Sequence, residues 1–554
     1  MVSNRAPGPG MIVPENPASS MAPAHEDKTP QDKAPNNSKE DAGPGDTEGI
    51  PDLAGGSTYL VDWEGPDDSE NPRNWTFGKK WMVTTMVSAY VFMSPVSSSM
   101  MAPASARIAA HLGVTSSTLI ALQTSMFLGG YGALIWVSVN DYADSLTESV
   151  DMVAAGPLVL GPLSEAFGRQ RTLQFANFWY LAWNLGCAFV RNEQELLLFR
   201  FLSGFGGNGL ITIGGGVLGD VWPPAQRGQA VAVYTLAPLL GPVVGPMCGA
   251  WIAERGDWRW VFWAPTIAAV AVQLVGLYFL KETYPPVILA RKAKRIRRGL
   301  VDLERSDQYT TVRTIFDGPE REWRNFVINA LVRPFVLFAR EPIIQLLGCY
   351  MAFMYGTLYL FLTTIPLIFR GVYDEPLGIA GLNYIALGIG LSGASQISAR
   401  LLDVMYMRLA KKNGGVGKPE YRLLFMFPGT ILLPVGLLIT GWTARPDIHW
   451  IVPDLAIVMV GAGMVLNFQA IQLYVIDAFT LHCASALAAV MFFRSVAACV
   501  FPLFAPVMYS ALHYGRGDTI LACAAIAIGG PSSLLFLLYG ERVRNASRYA
   551  RHSY

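Results

Sequence analysis

Apolar residues along this chain come in blocks of about 20, separated by polar or charged stretches. A block of that length crosses the hydrocarbon core of a bilayer, which is ~30 Å thick, as one helix. Six blocks precede a polar stretch over 281–342 and six follow it, so the pattern predicts two sets of membrane spans. The predicted spans are 81–103, 117–137, 173–190, 195–219, 229–252, 260–280, 343–366, 379–401, 423–443, 450–473, 485–511 and 519–540.

The composition fits a chain that lies mostly in lipid. Of its 554 residues, 52% are hydrophobic and 15% are charged, whereas soluble globular proteins carry about 25% charged residues. The predicted fold class is therefore an all-α polytopic membrane protein that contacts the lipid bilayer. The net charge of +1 gives no general attraction to nucleic acid, which we do not expect as a partner.

Charged residues near the span ends predict the orientation of the chain. Lys and Arg are retained on the cytoplasmic side of a membrane, and here they concentrate in 281–298, 408–422 and 542–551. Both termini and the central 281–342 stretch are therefore expected in the cytoplasm.

The same pattern divides the chain into five parts. We predict a disordered cytoplasmic tail over 1–80, since its first 70 residues are rich in Pro, Gly and charged residues without hydrophobic periodicity. A six-helix bundle over 81–280 and a second over 343–540 are joined by the 281–342 linker, and 541–554 form a cytoplasmic tail.

A short motif before the third span places charge at the membrane edge. The stretch "GPLSEAFGRQR" begins at Gly161, and on its residues alone it could be a basic loop that anchors the chain. It resembles the loop 2–3 signature of the major facilitator superfamily, and this resemblance implies a cytoplasmic gate locked by charge pairs. The matching residues are Gly161, Ser164, Glu165, Gly168 and Arg169. Ala166 stands where the family often carries an arginine.

An arginine inside the fourth span is the next signal. Arg200, in "FRFLSGFGGNG", lies in hydrocarbon, where a charge marks a functional site unless the side chain snorkels to the membrane edge. Family members carry Arg-Phe-Leu-x-Gly here, and the resemblance implies a role in coupling to protons, with Asp220 and Glu165 as the first partners to consider. The middle of every ordinary predicted span lacks a carboxylate, so proton coupling rests on the resemblance.

Three glycines in that stretch also spell a nucleotide-binding pattern, G-x-G-x-x-G, at Gly204, Gly206 and Gly209. Such a loop needs a preceding strand in a βα unit, whereas these glycines lie within an apolar span. We therefore expect them to make a close helix–helix contact. The sequence contains no ATP-binding motif and no C-x-x-C among its six cysteines, so we predict no cofactor, no metal site and no catalytic residue.

The fifth span contains the most specific motif, "LAPLLGPVVGPMCGAW". Glycines repeat every fourth residue and so line one helix face, which alone would indicate a packing surface. Prolines between them remove backbone donors and bend the helix. The pattern resembles the antiporter signature of proton-coupled drug exporters, which favours export over import. Its residues are Gly241, Pro242, Gly245, Pro246 and Gly249.

Two longer stretches narrow the family. "YLVDWEGPDDSENPRNWTFGKKW", before the first span, and "YVIDAF" with "SALAAVMFFRSVAACVFPLFAPVMY" are similar to fungal drug:proton antiporters of the twelve-span branch. The resemblance covers 59–131 and 155–540. It implies two six-helix bundles that move a solute by alternating access, with a path between them near the midplane.

Polar and aromatic residues within the spans are the candidates for that path. Each is as easily explained by a hydrogen bond between helices, but as a set they suit a bulky, mostly apolar solute. The candidates are Gln123, Asn208, Tyr355, Tyr359, Tyr384, Gln396, Asn467, Gln469, Gln472 and Arg494.

We therefore expect a monomeric, proton-coupled exporter of small amphipathic compounds in the fungal plasma membrane, with a xenobiotic or a secondary metabolite as substrate. A uniporter or importer, and a sensor that no longer transports, are the alternatives. An enzyme is not expected, because the sequence lacks a His cluster and a G-x-S-x-G nucleophile motif.

One interruption does not fit the family pattern. Residues 133–154 carry Asp141, Asp144, Glu148 and Asp151 between two apolar segments that relatives join directly. A real insert would leave 117–137 to span alone and would displace Glu165 and Arg169 from the gate. We favour the other account, in which an in-frame intron has been translated into the sequence.

Overall fold

A computed structural model describes residues 58–132, 134–135, 153–154, 157–223, 226–302, 311–316, 323–414, 417–479 and 483–547. It is almost entirely helical over these residues, as the hydrophobic blocks predict. Most of the tail predicted to be disordered, 1–57, lies outside the described residues. The rest of that prediction is wrong, because residues 58–80 form a strand, a 3₁₀ turn and the start of the first helix.

The first bundle contains the elements that precede the linker. Its bounds are β1 Thr58–Val61, α1 Phe77–Met100, α2 Ser105–Leu112, α3 Ser117–Tyr131, β2 Leu134–Ile135, β3 Val153–Ala154, α4 Pro157–Phe167, α5 Arg169–Cys187, α6 Glu193–Val221, α7 Arg227–Arg255 and α8 Trp260–Phe279. Local chemistry sets several ends. Asn192 caps α6 by accepting a hydrogen bond from the N–H of Glu195 at 2.8 Å, and Gly113 ends α2 in the left-handed conformation.

The linker and the second bundle follow. Their bounds are α9 Pro285–Asp302, β4 Thr311–Thr314, α10 Trp323–Arg340, α11 Pro342–Val372, α12 Leu377–Ala380, α13 Tyr384–Lys412, α14 Met426–Thr443, α15 Ile451–Ala478 and α16 Cys483–Ala546. A 3₁₀ turn over Pro419–Phe425 leads into α14. His513, with φ of 57°, breaks α16 into the two helices predicted as the last two spans.

These helices account for the predicted spans. Among the described residues, eight helices are long and apolar enough to cross a membrane, and α16 counts once although it contains two. The remaining spans correspond to α1, to α3 with α4, and to α5. The outer faces are apolar, as a lipid-facing surface requires. On α8, for example, the side chains of Ile267, Leu274 and Leu277 are each more than half exposed.

The interrupted second span is split into two helices that follow one another along α6. The backbone of Phe127 in α3 lies against Gly204, and Leu160 in α4 lies against Gly209. Asn208, between those glycines, donates to the carbonyl oxygen of Tyr131 at 2.7 Å, where α3 ends. The side chain of Asn208 thus satisfies a carbonyl that the interruption deprives of its helical partner.

The predicted end of the second span is therefore wrong: it does not run over 117–137, because α3 ends at Tyr131. The displacement of Glu165 and Arg169 that would follow from a real insert is not observed, because α4 returns the chain to α6. β2 pairs with β3 antiparallel, with Leu134 opposite Ala154, and residues 136–152 lie outside the described residues. Whether the insert is a translated intron stays a prediction.

The segment before α1 is attached to the linker. β1 pairs with β4 in parallel, with Thr58 opposite Thr311. The ammonium group of Lys292 in α9 lies 3.0 Å from the carboxylate of Glu64 and 3.5 Å from that of Asp68. Arg295, one turn further along α9, pairs with Glu70 at 3.2 Å. We call this set of contacts the linker clasp.

Candidate functional site

The two ends of the helical bundles differ, and we name them by their contents. The linker end carries the α4–α5 turn, α9 and the 3₁₀ turn before α14. The far end carries the last turn of α7 and the short helix α12.

Arg169 is the centre of a charge network at the linker end. Its Nε lies 3.2 Å from Oδ2 of Asp220, and one of its Nη atoms donates to Oγ of Ser164 at 2.6 Å. Its backbone N–H donates to the carboxylate of Glu282 at 2.8 Å, and its guanidinium lies over the ring of Tyr284. Arg169 therefore joins the start of α5 to the end of α6 and to the segment after α8.

Gly168 makes this network possible. Its φ of +99° is a conformation that favours glycine, and a Cβ there would overlap the carboxylate of Glu282. Gly161, by contrast, faces Thr212 with room to spare, since a Cβ would lie 3.8 Å away. The sequence motif thus combines one glycine that the charge network requires, Gly168, with one that it does not, Gly161.

The acid in the motif is not the acid that binds Arg169. Among the described residues, Glu165 forms no ion pair, and it is half-buried beside the turn. Asp220, which the sequence singled out for proton coupling, is the ion-pair partner of Arg169. Glu282 was missed, because nothing in its local sequence distinguishes it from any other acid that follows a span.

The second bundle repeats this arrangement. Arg422, in the 3₁₀ turn before α14, pairs with Asp477 at 3.1 Å and lies over the ring of Tyr406. Asp477 is the penultimate residue of α15, just as Asp220 is the penultimate residue of α6. Sequence reasoning missed this pair, although the equivalent places of the two aspartates in spans four and ten could have revealed it.

Two further ion pairs hold the 3₁₀ turn before α14 to the end of α16. Arg544 pairs with Glu420 at 2.8 Å, and both side chains are nine-tenths buried. Lys418 pairs with Glu541 at 2.8 Å. The linker end of the second bundle is therefore fastened by charges on α15 and on α16.

Arg200 is fully buried; its guanidinium lies 5.0 Å from the ring centre of Phe127 and donates hydrogen bonds to oxygens of the backbone. Its guanidinium donates to the carbonyls of Ser97 at 3.0 Å and of Ser98 and Thr124 at 3.1 Å. A longer bond of 3.4 Å reaches the carbonyl of Gln123. Arg200 therefore joins α6 to α1 and α3, and it does not snorkel.

The structure does not bring Arg200 and Asp220 together. Both lie on α6, separated by 20 residues, which corresponds to about 30 Å along a helix. Their predicted joint role in proton coupling therefore lacks a direct contact.

The glycines of the fifth-span motif form the contact between α7 and α1. A Cβ at Gly241 would lie 2.5 Å from Cβ of Pro95, and one at Gly245 would lie 2.5 Å from the carbonyl oxygen of Val96. A Cβ at Gly249 would overlap the carbonyl oxygen of Met100. The intervening Pro242 and Pro246 are buried within α7. The motif thus brings two helix backbones together, as its spacing predicts.

Four of the predicted path residues gather where the two bundles meet. Tyr355 and Tyr359 of α11 have ring centroids 5.4 Å apart, and the guanidinium of Arg494 lies 4.2 Å from the ring centre of Tyr355. The hydroxyl of Tyr359 hydrogen-bonds Ser98 of α1 at 3.1 Å. Arg494 and Gln472 both line a void of about 10 Å³ in the second bundle. We call Tyr355, Tyr359, Gln472 and Arg494 the central cluster.

The other predicted path residues mostly connect helices. Asn467 accepts from Thr430 at 3.2 Å, and Gln469 donates to Ser395 at 2.7 Å. Asn208 caps α3, and the hydroxyl of Tyr384 donates to the carbonyl of Leu362. For these residues the hydrogen bond between helices accounts for the side chain.

Two amides remain without such an explanation. Gln123 is fully buried, and neither polar atom of its side chain has a hydrogen-bond partner among the described residues. Gln396 is half-buried on α13.

At the far end the two bundles touch through α7. The carboxylate of Glu254 accepts a hydrogen bond from the backbone N–H of Gly378 at the start of α12. Gly381 lies against Ala250, where a Cβ would approach to 2.5 Å, and Gly388 lies against Val243. The far half of α7 is thus packed closely against the second bundle.

Within the described ranges, no group of three or more His, Cys, Asp or Glu side chains is arranged to hold a metal ion.

Comparison with known proteins adds an independent observation. The family model of the Major Facilitator Superfamily matches residues 87–502. The chain is 38% identical to efflux pump vrtL of Penicillium aethiopicum over 493 residues, which cover 89% of this chain and 91% of that protein. It is 38% identical to MFS-type transporter penM of Penicillium rubens, covering 88% and 90%. It is 37% identical to efflux pump radE of Floropilus chiversii, covering 88% and 86%.

Solved structures agree on the fold. A proton:xylose symporter, XylE, superposes with a TM-score of 0.58 at 14% identity, covering 84% of this chain and 96% of the symporter. A bacterial homologue of the human lysosomal transporter Spinster superposes with a TM-score of 0.54 at 12% identity, covering 85% and 98%. At these identities the likeness concerns the arrangement of the helices alone.

Proposed function

This chain belongs to the Major Facilitator Superfamily, and from that premise we propose that it exports small amphipathic compounds in exchange for protons. It is a multi-pass membrane transporter and not an enzyme. Export is supported by the similarity to proteins named efflux pumps along nearly the whole chain. The glycine-lined contact of α7 with α1 supports it too, because the motif that forms this contact resembles that of antiporters.

The observation that carries the proposal is the central cluster. Its aromatic rings and one buried cation lie where the bundles meet, and Tyr359 links them to Ser98 of the first bundle. A transporter of this fold binds its substrate near the midplane, between its repeats. Aromatic faces suit a ring-containing solute.

Alternating access then requires the contacts between the bundles to open and close. At the far end, the hydrogen bond of Glu254 with Gly378 and the packing around Gly381 must separate for a substrate to leave. At the linker end, the Arg169–Asp220 and Arg422–Asp477 pairs each stiffen one bundle. Rigid bundles allow rocking about the central cluster.

For proton coupling we propose Asp220 as the titrating group. It is largely buried, with 15% of its side chain exposed, and its protonation would remove the charge that holds Arg169. Arg200 cannot be the group that binds and releases the proton, because a guanidinium stays charged in proteins. We assign Arg200 to bracing α6 against α1 and α3, next to the cluster.

We place the protein in the plasma membrane as a single chain, with its linker end in the cytoplasm. The basic residues of α9 and of the end of α16 support this orientation. Xenobiotics and secondary metabolites are the substrates we propose.

Export can be tested in yeast that lacks its own drug exporters. Cells are loaded with fluorescein, Nile red or rhodamine 6G, which are anionic, neutral and cationic, and retention is compared with and without this protein. We expect faster loss of at least one dye, and a protonophore should abolish the difference. Equal retention of all three dyes would contradict the proposal.

A further inference from the structure

Arg494 is a buried cation without an anion. It is 7% exposed in α16, and its guanidinium lies between the ring of Tyr355 on α11 and that of Phe468 on α15, at 4.2 and 5.4 Å from the ring centres. Among the described residues it has no ion-pair partner, and its Nε is buried without a hydrogen-bond acceptor. The two rings offset part of the cost of burying its charge.

Arg200 provides the comparison within the same chain. It is buried as deeply and also lacks a carboxylate, but four backbone carbonyls accept its hydrogen bonds. Its donors are thus met by the protein itself. Nε of Arg494 has no such acceptor among the described residues, although burying an uncompensated charge is strongly unfavourable.

No acid of the neighbouring helix can reach Arg494. Phe468, which marks its level on α15, lies nine residues before Asp477 and fourteen after Asp454. At 1.5 Å per residue these carboxylates are about 13 and 21 Å away along the helix. Asp477 is in addition paired with Arg422. An anion bound from outside the protein would supply the counter-charge that Arg494 lacks among the described residues.

The surroundings favour an organic anion. The void beside Arg494 is apolar except for Gln472 and is no larger than one water molecule, at about 10 Å³. The void can accept the anionic end of a solute. A ring attached to that end would lie against Tyr355, where the bundles separate. A guanidinium binds a carboxylate through two parallel hydrogen bonds, and it binds a single oxyanion through one.

We propose that Arg494 binds an anionic group of the substrate, so that this transporter selects aromatic or amphipathic organic anions, such as carboxylates and phenolates. That the bound anion is a transported substrate rests on the proposed function. The binding of an anion at Arg494 can be measured without transport. Tyr355 and Phe468 would contact the apolar part of the same molecule.

The test uses the purified full chain in detergent. Benzoate, 2-naphthoate and 1-pyrenebutyrate are titrated beside their uncharged amides, and binding is followed by the shift in the unfolding temperature. We expect at least one acid to bind more tightly than its amide. In Arg494→Gln this acid should bind about tenfold to a hundredfold more weakly, since a hydrogen bond to a charged group is lost, while the amide is unaffected.

Two further variants test whether binding depends on the positive charge at position 494. Arg494→Lys retains the charge and should retain part of the preference for the acid. Arg516→Gln removes an exposed arginine from the same helix α16 and should bind as the unchanged protein does. Without ligand, Arg494→Gln should unfold at an equal or higher temperature, because a buried unpaired charge has been removed.

The outcomes are distinct. If no acid binds better than its amide, or if Arg494→Gln keeps the preference, the anion site does not exist. If export of Nile red or rhodamine 6G is found together with that result, the proposed function stands and only this inference falls. If the acids bind through Arg494 but no dye is exported, the site stands and export is wrong.

Discussion

The carboxylate of Glu254, at the end of α7, accepts a hydrogen bond from the backbone N–H of Gly378 in the other bundle. A charged acceptor makes such a bond stronger than one between neutral groups. Among the described residues, it joins the two bundles directly at the far end.

Removing that carboxylate should open the far end more often. We expect Glu254→Ala to raise the open population roughly fivefold, the equivalent of about 1 kcal/mol for a half-exposed charge-assisted bond, and Glu254→Gln to have a smaller effect. Ala250 is fully buried beside Gly381, so maleimide labelling of Ala250→Cys from outside the cell measures the opening. The six native cysteines are replaced first. An unchanged labelling rate would show that this hydrogen bond does not hold the far end closed.

The two charge pairs at the linker end should behave alike. Asp220→Asn and Asp477→Asn each remove the carboxylate that pairs with a largely buried arginine, which should lower the unfolding free energy by about 1–3 kcal/mol. Efflux should fall at least tenfold in both. Loss of efflux in Asp220→Asn alone, at equal expression, would mean that the pair of the second bundle is not the counterpart of the first.

Much of this architecture is predictable from sequence, because lipid demands long apolar helices. The glycine face of α7 could be predicted as well, since a spacing of four is a local property. The partners of Arg169 could not, because Asp220 lies 51 residues away and Glu282 lies 113 away. Residues that meet only in the folded bundle leave no pattern in the chain between them.

The same limit explains the errors about α3 and the tail. The apolar run continues past Tyr131, but Asn208 on another helix satisfies the carbonyl at which α3 ends. The segment before α1 looks disordered by composition, yet Lys292 and β4 of the linker hold it.

The glycine contact gives a sharp packing test. Gly245→Ala would place a Cβ 2.5 Å from the carbonyl oxygen of Val96, and such overpacking costs about 1–3 kcal/mol. Gly215→Ala on α6 meets no atom within 4 Å and serves as the control. We expect a lower unfolding temperature for the first variant and an equal or higher one for the second. Equal temperatures for both would mean that α1 and α7 are not in close contact.

The linker clasp should be insensitive to pH near neutrality. Burial would raise the pKa of the Asp68 carboxyl, but hydrogen bonds from the N–H groups of Glu64 and Glu70 and the charge of Lys292 hold it below its ordinary 3.8. Burial would lower the pKa of Lys292, but Glu64 and Asp68 hold it above its ordinary value.

The signs of the two shifts fix the pH window. The contribution of Asp68 is present above its unfolded pKa of about 3.9 and is lost as the pH falls through its lower folded value. That of Lys292 is present below about 10.4 and is lost as the pH rises through its higher folded value.

The backbone amides of residues 58–76 should therefore be equally protected from hydrogen exchange at pH 5, 7 and 9, once the pH dependence of the intrinsic exchange rates has been corrected for. Lys292→Ala should reduce that protection roughly fivefold at all three values, as expected for a partly exposed pair worth about 1 kcal/mol. Protection that changes between pH 5 and 9 would point to a different titrating group.

Deleting residues 133–154 should leave the transporter intact. Leu134 and Ala154 face each other across the β2–β3 pair, so the deletion closes a short gap and lets α3 run into α4. We expect unchanged expression, unfolding temperature and efflux, and a transcript that lacks these codons. A deletion that abolishes folding, or a major transcript that contains the codons, would show that the insert is real.

The most direct test of the account is uptake of an exported dye into inside-out plasma-membrane vesicles under an imposed pH gradient. The lumen of such a vesicle corresponds to the cell exterior. An exporter that exchanges its substrate for protons should fill the lumen when the lumen is acidic, should stop when a protonophore is added, and should fail in Asp220→Asn. Uptake that is independent of the gradient, or that requires an alkaline lumen, would contradict proton-coupled export.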